Sequence, residues 1–236
     1  MTATLLPATA LSVRGLHLAL GGRELFADLD LDLPAGRWTC LLGPSGAGKT
    51  SLLRLIAGLV PGRPALVEGA AYMAQQDLLL PWLGVLDNLV LGYRLRNQPP
   101  PFDAARALLA RMGLTEAAHL RPAELSGGMR QRAALARTLL EDRPVVLMDE
   151  PFSAVDAVTR LKLQTLAAEM LAGRTVLLVT HDPLEALRLG HRIHVLAGRP
   201  ARLSEPLIPP GPPPRDAADP RVLALQAELL RRLEAA

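Results

Sequence analysis

An α/β fold built on a mostly parallel sheet is predicted by three short apolar runs that alternate with helical patterns along the chain. The runs are Trp38 to Leu42, Val145 to Met148 and Thr175 to Val179. Each run has the length of a strand and is apolar enough to be buried on both faces, as strands of parallel sheets are. Half of the 236 residues are hydrophobic, so the chain can form a sizeable packed core.

Helical patterns occupy the segments between the predicted strands. Leu52, Leu55, Ile56 and Leu59 follow the spacing of one helical face. The stretch from Leu83 to Leu140 contains several helical patterns and no convincing strand. We therefore expect a helical subdomain inserted into the sheet domain.

The last part of the chain is rich in proline. Pro209 to Pro214 are expected to be extended and stiff, and an amphipathic helix is predicted from about Arg221 to Leu233. The whole chain is expected to form one domain, which divides as follows: a core over about 1–76 and 144–205, a helical subdomain over about 77–143, and a tail with the last helix over 206–236.

Composition excludes several classes of function. Aromatic residues make up only 3% of the chain, which argues against a stacking surface for single-stranded nucleic acid. The net charge is only +3 and the arginines are scattered, so a solvated surface is the better interpretation and no nucleic-acid partner is expected. Cys40 is the only cysteine, which excludes an internal disulfide and a cysteine-cluster metal site.

Nothing in the sequence predicts a membrane-spanning or secreted chain. No apolar run approaches the roughly 18–20 residues that cross a bilayer. The segment from Met1 to Leu11 lacks a basic start followed by a long apolar stretch, so no secretory signal is predicted. We expect a soluble, cytosolic protein.

A phosphate-binding loop is indicated by eight consecutive residues with the pattern G-x-x-x-x-G-K-[ST], namely Gly43, Pro44, Ser45, Gly46, Ala47, Gly48, Lys49 and Thr50. The pattern follows a predicted strand and begins a predicted helix, whose N-terminus favours negative charge. Lys49 would reach the β- and γ-phosphates, the Thr50 hydroxyl would ligand Mg²⁺, and Ser51 could assist. Only Lys49 and Lys162 among the 26 basic residues are lysine, which makes an incidental lysine in this loop a poor explanation.

Two further strand ends carry polar side chains suited to nucleotide hydrolysis. Asp149 and Glu150 follow the second predicted strand, and His181 follows the third after Thr180. Ligands of parallel α/β sheets bind at the carboxyl ends of the strands. We expect Asp149 to hold Mg²⁺ through water, Glu150 to polarise the attacking water, and His181 to hydrogen-bond the γ-phosphate.

A second anion site is predicted at the start of the helix that runs to about Leu140. Ser126 is a suitable N-cap, and Gly127 and Gly128 leave backbone N–H groups uncovered. By itself this pattern is typical of an ordinary capped helix. A monomer with one phosphate loop does not need the second site, but a two-fold dimer could use it to close over the partner's nucleotide.

Together these motifs resemble the ATP-binding subunits of ABC transporters over nearly the whole chain. Gly43 to Thr50 resembles the Walker A loop, Val145 to Glu150 resembles Walker B, and Leu125 to Gln131 resembles the ABC signature. His181 matches the switch histidine. Asp156 matches the last residue of the D-loop, and the resemblance implies that it contributes to nucleotide binding.

The resemblance also implies a Q-loop, a fold and a mechanism. Gln75 matches the residue that touches Mg²⁺ and the membrane partner, although the adjacent Gln76 is an alternative. The family fold adds a small antiparallel β arm, which the short stretch from Leu59 to Gln75 suggests is trimmed here. Two subunits would form a head-to-tail homodimer around two ATP molecules, and hydrolysis would reopen it. Leu20 stands where the family usually has an aromatic residue that stacks on adenine.

The segment Leu79 to Trp82, followed by Val85 to Asn88, resembles the branch that imports nitrate, taurine, aliphatic sulfonates and thiamine precursors. This resemblance implies integral membrane permease subunits, an indirect periplasmic binding protein, and a peripheral position on the cytoplasmic face of the inner membrane. The sequence does not identify the cargo, and import is inferred from resemblance alone. The alternatives are a soluble ABC ATPase acting on nucleic acid or ribosomes and a regulatory module that does not hydrolyse ATP. The single set of motifs argues against the first, and Glu150 and His181 argue against the second.

Overall fold

The computed structural model describes residues 9–61, 63 and 65–234. The strands, in chain order, are β1 (Thr9–Leu20), β2 (Arg23–Pro34), β3 (Trp38–Leu42), β4 (Ala71–Met73), β5 (Val145–Asp149), β6 (Thr175–Val179), β7 (Arg192–Ala197) and β8 (Arg202–Leu203). The helices are α1 (Lys49–Ile56), α2 (Val85–Leu89), α3 (Leu91–Leu95), α4 (Phe102–Arg111), α5 (Gly127–Leu140), α6 (Ala157–Met170), α7 (Pro183–Leu189) and α8 (Pro220–Glu234). None of the described helices is both long enough and apolar enough to cross a membrane.

The central sheet has six strands in the order β4-β5-β6-β3-β7-β8. All pairings are parallel except that of β8 with β7. The three strands predicted from the sequence are β3, β5 and β6, and every residue in them is buried. Strands β1 and β2 form a separate antiparallel pair. The predicted fold class, a mostly parallel sheet with a small antiparallel β arm and helices, is confirmed.

Alternating side chains of the central strands enter two different apolar clusters. Cys40 and Met148 belong to the cluster that includes α5, α6 and α7. Leu41 and Leu147 belong to the cluster that includes α1 and the β1–β2 pair. Because successive side chains of a strand point to opposite faces, the sheet is covered on both sides. Its carboxyl edge remains between the two layers, and the candidate site lies there.

The first helix is shorter than predicted. Leu52, Leu55 and Ile56 are buried as expected, but α1 ends at Ile56 and Leu59 is 54% exposed. The reason is Gly58, which adopts the left-handed φ of +72° and allows the N–H of Leu59 to bond to a carbonyl of the preceding turn. The prediction that Leu59 extends the apolar face of this helix is therefore wrong.

The stretch from Leu83 to Leu140 is helical, as predicted. It contains α2, α3, α4, α5 and two short 3₁₀ turns, and no strand. The predicted boundaries of the core, the helical subdomain and the tail stay predictions.

The predicted last helix is confirmed as α8, but the proline-rich segment before it is not straight. The chain bends at residues 210, 211, 213 and 214, and Gly211 has a φ of +78°. The bend surrounds the guanidinium group of Arg215, which is only 7% exposed. The prediction of an extended, stiff segment over Pro209 to Pro214 is therefore wrong, because backbone carbonyls of this segment converge on one side chain.

All the guanidinium nitrogens of Arg215 donate to backbone carbonyls. Its Nε and Nη2 donate to carbonyls of the proline-rich segment, and its Nη1 donates to the carbonyls of Leu187 and Gly190 at 2.8 Å. Arg215 thus connects the tail to the end of α7 by hydrogen bonds. Burial lowers the pKa of Arg215, with the Cys40 thiol opposing the change, yet a guanidinium keeps its charge.

Arg215→Lys is expected to lower the free energy of unfolding by about 2–4 kcal/mol, because an ammonium has three donors and cannot serve five carbonyls. Arg106→Lys on α4 is the matched control, since Arg106 is exposed and its ion pair with Asp103 contributes little. Urea denaturation of both variants would measure the difference. Equal stability of the two variants would show that the Arg215 contacts do not hold the tail.

Candidate functional site

The phosphate-binding loop has a shape that requires glycine. Gly43 adopts a φ of +150°, and a Cβ there would lie 2.2 Å from the carbonyl oxygen of Leu196 in β7. Gly48 adopts a φ of +99° as the N-cap of α1, and no side chain caps that helix. The first N–H groups of a helix have no intrahelical partner. Donors that can bind phosphate oxygens are therefore available at the start of α1.

Lys49 folds back over the loop from the first position of α1. Its Nζ donates to the carbonyl oxygens of Gly43 at 2.7 Å and Pro44 at 2.9 Å. Burial lowers the pKa of Lys49, while the carboxylates of Glu150 and Asp149 oppose the change. The positive charge thus lies between the loop and the two acids at the end of β5.

A pocket of about 500 Å³ opens beside this loop. The residues predicted from the sequence that line it are Ser45, Gly46, Ala47, Gly48, Lys49, Thr50, Ser51, Gln75, Asp149 and Glu150. Gly43 and Pro44 contribute through the carbonyl groups that bind Lys49. The loop, the end of β5 and the segment after β4 therefore meet at one place, as parallel strands ending at one edge require.

Thr50 and Asp149 form the oxygen-rich part of the pocket. The Thr50 hydroxyl donates to Asp149 Oδ2 at 2.6 Å. Burial raises the pKa of Asp149, and the hydrogen bond from Thr50 opposes the change. The hydroxyl and the carboxylate supply hard oxygen ligands, which suit Mg²⁺.

Glu150 is held by contacts on both its side chain and its backbone. It adopts a φ of +49°, which is unusual for a residue with a side chain and is typical of functional sites. Gln75 Nε2 donates to its Oε2 at 3.3 Å, and His181 Nδ1 lies 3.2 Å from its Oε1. Gln131 Nε2 donates to its backbone carbonyl at 2.9 Å. The carboxylate therefore has a defined position at the edge of the pocket.

Besides Gly43 and Pro44, five predicted residues do not line the pocket within one chain, and one of them, His181, lies beside it through its contact with Glu150. Ser126 caps α5 by accepting a hydrogen bond from the Met129 N–H, and Gly127 and Gly128 begin that helix. Asp156 caps α6 by accepting from the Thr159 N–H at 3.0 Å. Their contribution to nucleotide binding stays a prediction, as do the roles of the pocket residues.

A family model described as "ABC transporter" matches residues 26–153, more than half of the chain. The chain belongs to the ABC transporter family. The predicted family is thereby confirmed.

Known proteins are similar in sequence to this chain over almost its whole length. It is 44% identical to the aliphatic sulfonates import ATP-binding protein SsuB of Delftia acidovorans, covering 96% of this chain and 95% of that protein. It is 42% identical to SsuB 1 of Paracoccus denitrificans, covering 95% and 93%. An uncharacterized ABC transporter ATP-binding protein of Haemophilus influenzae is 41% identical, covering 94% and 97%.

Solved ABC structures share the fold. The dimeric structure of MJ0796, a bacterial ABC transporter cassette, matches with a TM-score of 0.74 and 25% identity, covering 85% of this chain and 99% of that one. A post-hydrolysis dimer of the same cassette bound to ADP and Pi matches with a TM-score of 0.73. These similarities confirm the predictions of an ABC ATP-binding subunit and of ATPase activity.

The geometry of this ABC ATPase also bears on two positions that the sequence left open. Gln75 lines the pocket beside the phosphate-binding loop and contacts Glu150, whereas Gln76 lines only a second surface pocket beside α5, which Gln75 also lines. The geometry therefore favours Gln75 as the Q-loop residue. Leu20 ends β1, and its side chain lies outside the described part of the structure.

Sequence reasoning missed two groups of residues at the site. The first is Gln131, which is buried in α5. Its Nε2 donates hydrogen bonds to the Glu150 carbonyl and the Ser153 hydroxyl in the loop after β5. Its place within the signature pattern was the available signal. The other group lines the pocket from the start of β2 and the β7–β8 turn, and consists of Arg23, Glu24, Leu25, Gly198 and Arg199. These residues belong to no motif, and only the tertiary fold brings them there.

Lys49→Ala is expected to lower kcat/KM for ATP by about 10- to 100-fold, because it removes hydrogen bonds from a charged donor to phosphate oxygens. Lys162→Ala is the matched control, since Lys162 is exposed on α6 and is the only other lysine. Phosphate release from the purified chain would be measured for both variants. Full activity of Lys49→Ala would refute the assignment of the phosphate-binding loop.

Proposed function

We propose that this chain is the motor subunit of an importer, which binds ATP with Mg²⁺ in the pocket at the carboxyl edge of the sheet and hydrolyses it to drive a separate permease. The observation that carries the proposal is the convergence of three strand ends. They bring Lys49, the Thr50–Asp149 pair and the Glu150–His181 pair to one edge of the sheet. Each group has a role in phosphate chemistry, and together they meet the needs of ATP hydrolysis.

Mg²⁺ would be held by Thr50, Gln75 and Asp149, and when bound it neutralises charge on the β- and γ-phosphates. Among the described residues no three His, Cys, Asp or Glu side chains form a self-contained metal site. Phosphate oxygens of the bound nucleotide would supply further ligands to Mg²⁺.

Glu150 is the candidate group for activating the attacking water. Its carboxylate stands between Gln75 and His181, so it can accept the proton of a water placed in line with the γ-phosphate. His181 would orient this carboxylate and hydrogen-bond the γ-phosphate oxygen. Lys49 and the N–H groups at the start of α1 would stabilise the negative charge that develops on the phosphate.

A second copy of the chain would complete the site. Ser126, Gly127 and Gly128 lie at a helix N-terminus that does not line the chain's own nucleotide pocket. In a head-to-tail homodimer, this N-terminus can face the γ-phosphate bound by the partner, with Asp156 near the interface. The dimeric cassettes among the solved relatives support this arrangement.

The cargo is proposed to be an aliphatic sulfonate or a related small anion. Several relatives that match over nearly their whole length are aliphatic sulfonate import proteins. The permease and a periplasmic binding protein would select the cargo, because nothing in the nucleotide pocket addresses it. These partners place the chain peripherally on the cytoplasmic face of the inner membrane.

The permease is proposed to dock beside the Q-loop. Leu78 and Trp82 are 57% and 66% exposed, although both are large apolar side chains. They lie in the segment that joins the nucleotide pocket, through Gln75 and Asp77, to the helical stretch beginning with α2. Exposed apolar side chains in such a position favour a protein partner.

Glu150→Gln is expected to bind MgATP but turn it over at least about 100-fold more slowly, because the amide cannot accept the proton of water. The trapped nucleotide should hold two copies together. Light scattering with saturating MgATP would then report a dimer. A monomer under these conditions would contradict the two-copy site, while loss of ATP binding would contradict the role of Glu150 after binding.

Trp82→Ala is expected to reduce recovery of a multi-span permease with the tagged chain from solubilised membranes by at least about fivefold, because an interface anchor is lost. Its ATP affinity should not change. Leu223→Ala, an exposed apolar residue on α8, is the control. Recovery of ribosomal proteins or nucleic acid without a membrane protein would overturn the importer assignment.

A further inference from the structure

A small cavity lies beside the Glu150–His181 pair. It has a volume of about 20 Å³, which is room for about one water molecule. Glu150, Thr180, His181 and Asp182 line it from the ends of β5 and β6, and Glu185 lines it from α7. The cavity thus connects the two proposed reacting side chains to a carboxyl group that the proposed mechanism does not use.

Glu185 is 4% exposed, and its hydrogen-bond partners are neutral. Gln164 Nε2 of α6 donates to its Oε2 at 3.1 Å. The side chains of Thr180 and Glu185 line the same cavity, and the Thr180 hydroxyl, as a hydrogen-bond donor to the carboxyl group, lowers its pKa. A buried carboxyl group retained between neutral partners is costly, which makes a role in the site more plausible than a role in packing.

The hydrogen bonds around Thr180 have a fixed direction. Its Oγ1 accepts from the Asp182 N–H at 3.0 Å, so its own proton is free for the Glu185 carboxyl group. Asp182 in turn accepts from the N–H groups of Leu184 and Glu185 at the start of α7. The two residues on either side of His181, Thr180 and Asp182, are therefore held by contacts with α7.

We propose that Glu185 is a positioning residue for ATP hydrolysis: by binding the Thr180 hydroxyl it fixes the segment from Thr180 to Asp182 and holds His181 against Glu150. The proposal rests on the proposed function, since Glu185 would support the residues that carry out the proposed hydrolysis. Glu185 acts through His181 and does not touch the nucleotide.

The charged surroundings of Glu185 make this support sensitive to pH. Burial raises the pKa of Glu185 to about 7, and the Asp182 carboxylate adds to the rise. The hydrogen bonds from Thr180 and Gln164 and the charge of Arg160 oppose it. The other titratable groups facing it are Glu150 and His181 across the cavity and the Cys40 thiol of β3. Protonation removes an acceptor, so the arrangement loosens as the pH falls below about 7.

Glu185→Gln tests the proposal by replacing one acceptor oxygen with an NH₂ donor of the same size. We expect kcat of the full chain to fall about tenfold, with the KM for ATP unchanged because the loop contacts are intact. The wild-type kcat should rise with pH through about 7, and this rise should disappear in the variant. Glu169→Gln, an exposed residue of α6, is the matched control and should behave as wild type.

Thr180→Val gives a second, independent variant that removes only the hydroxyl. The double variant with Glu185→Gln should lose no more activity than either single variant, because both act through one hydrogen bond. In a His181→Ala background, Glu185→Gln should have no further effect. Additive losses, an equal rise in KM, or a pH profile unchanged from wild type would each overturn the proposal. Failure of the ATPase assignment itself would appear separately, as no phosphate release from the wild-type chain with MgATP.

Discussion

The close approach of Gly43 to β7 is the constraint on which the nucleotide site depends. A side chain at this position would collide with the carbonyl oxygen of Leu196, 2.2 Å from where its Cβ would stand. Only a glycine lets the chain leave β3 at this point and turn back into α1. The turn brings Lys49 over the loop and directs the first N–H groups of α1 towards the pocket. The electrostatics of the site follow from this backbone path.

The parallel order of β5, β6 and β3 supplies the rest of the site. Asp149 at the end of β5 lies opposite Val179 at the end of β6, so the acids and His181 reach the same edge. The Glu150 carboxylate then lies between groups from two directions, Gln75 and His181. In the proposed mechanism, a change at either neighbour would shift this carboxylate, and the Q-loop and the segment after β6 would influence hydrolysis in this way.

Local patterns predicted most of this arrangement, and long-range contacts account for what they did not predict. The phosphate-binding loop is contiguous, and the acids follow an apolar strand directly, so both can be identified from neighbouring residues. Arg23 at the start of β2 and Arg199 in the β7–β8 turn reach the pocket only through tertiary packing, for which no motif exists. The proline-rich segment bends where Arg215 binds its carbonyls. The expectation that proline-rich segments are extended takes no account of such a contact. Leu59 was misassigned since Gly58 ends the helix just before it.

The central claim is that each nucleotide site uses the phosphate-binding loop of one copy and the Ser126 helix N-terminus of another. The ATPase activity of an equimolar mixture of two impaired variants, Lys49→Ala and Ser126→Arg, tests this arrangement. Each mixed dimer would carry one fully intact site and one doubly altered site. The mixture should recover about a quarter of the wild-type rate, since half of the dimers are mixed and each has one working site. If the mixture were no more active than the separate variants, this result would contradict the shared sites.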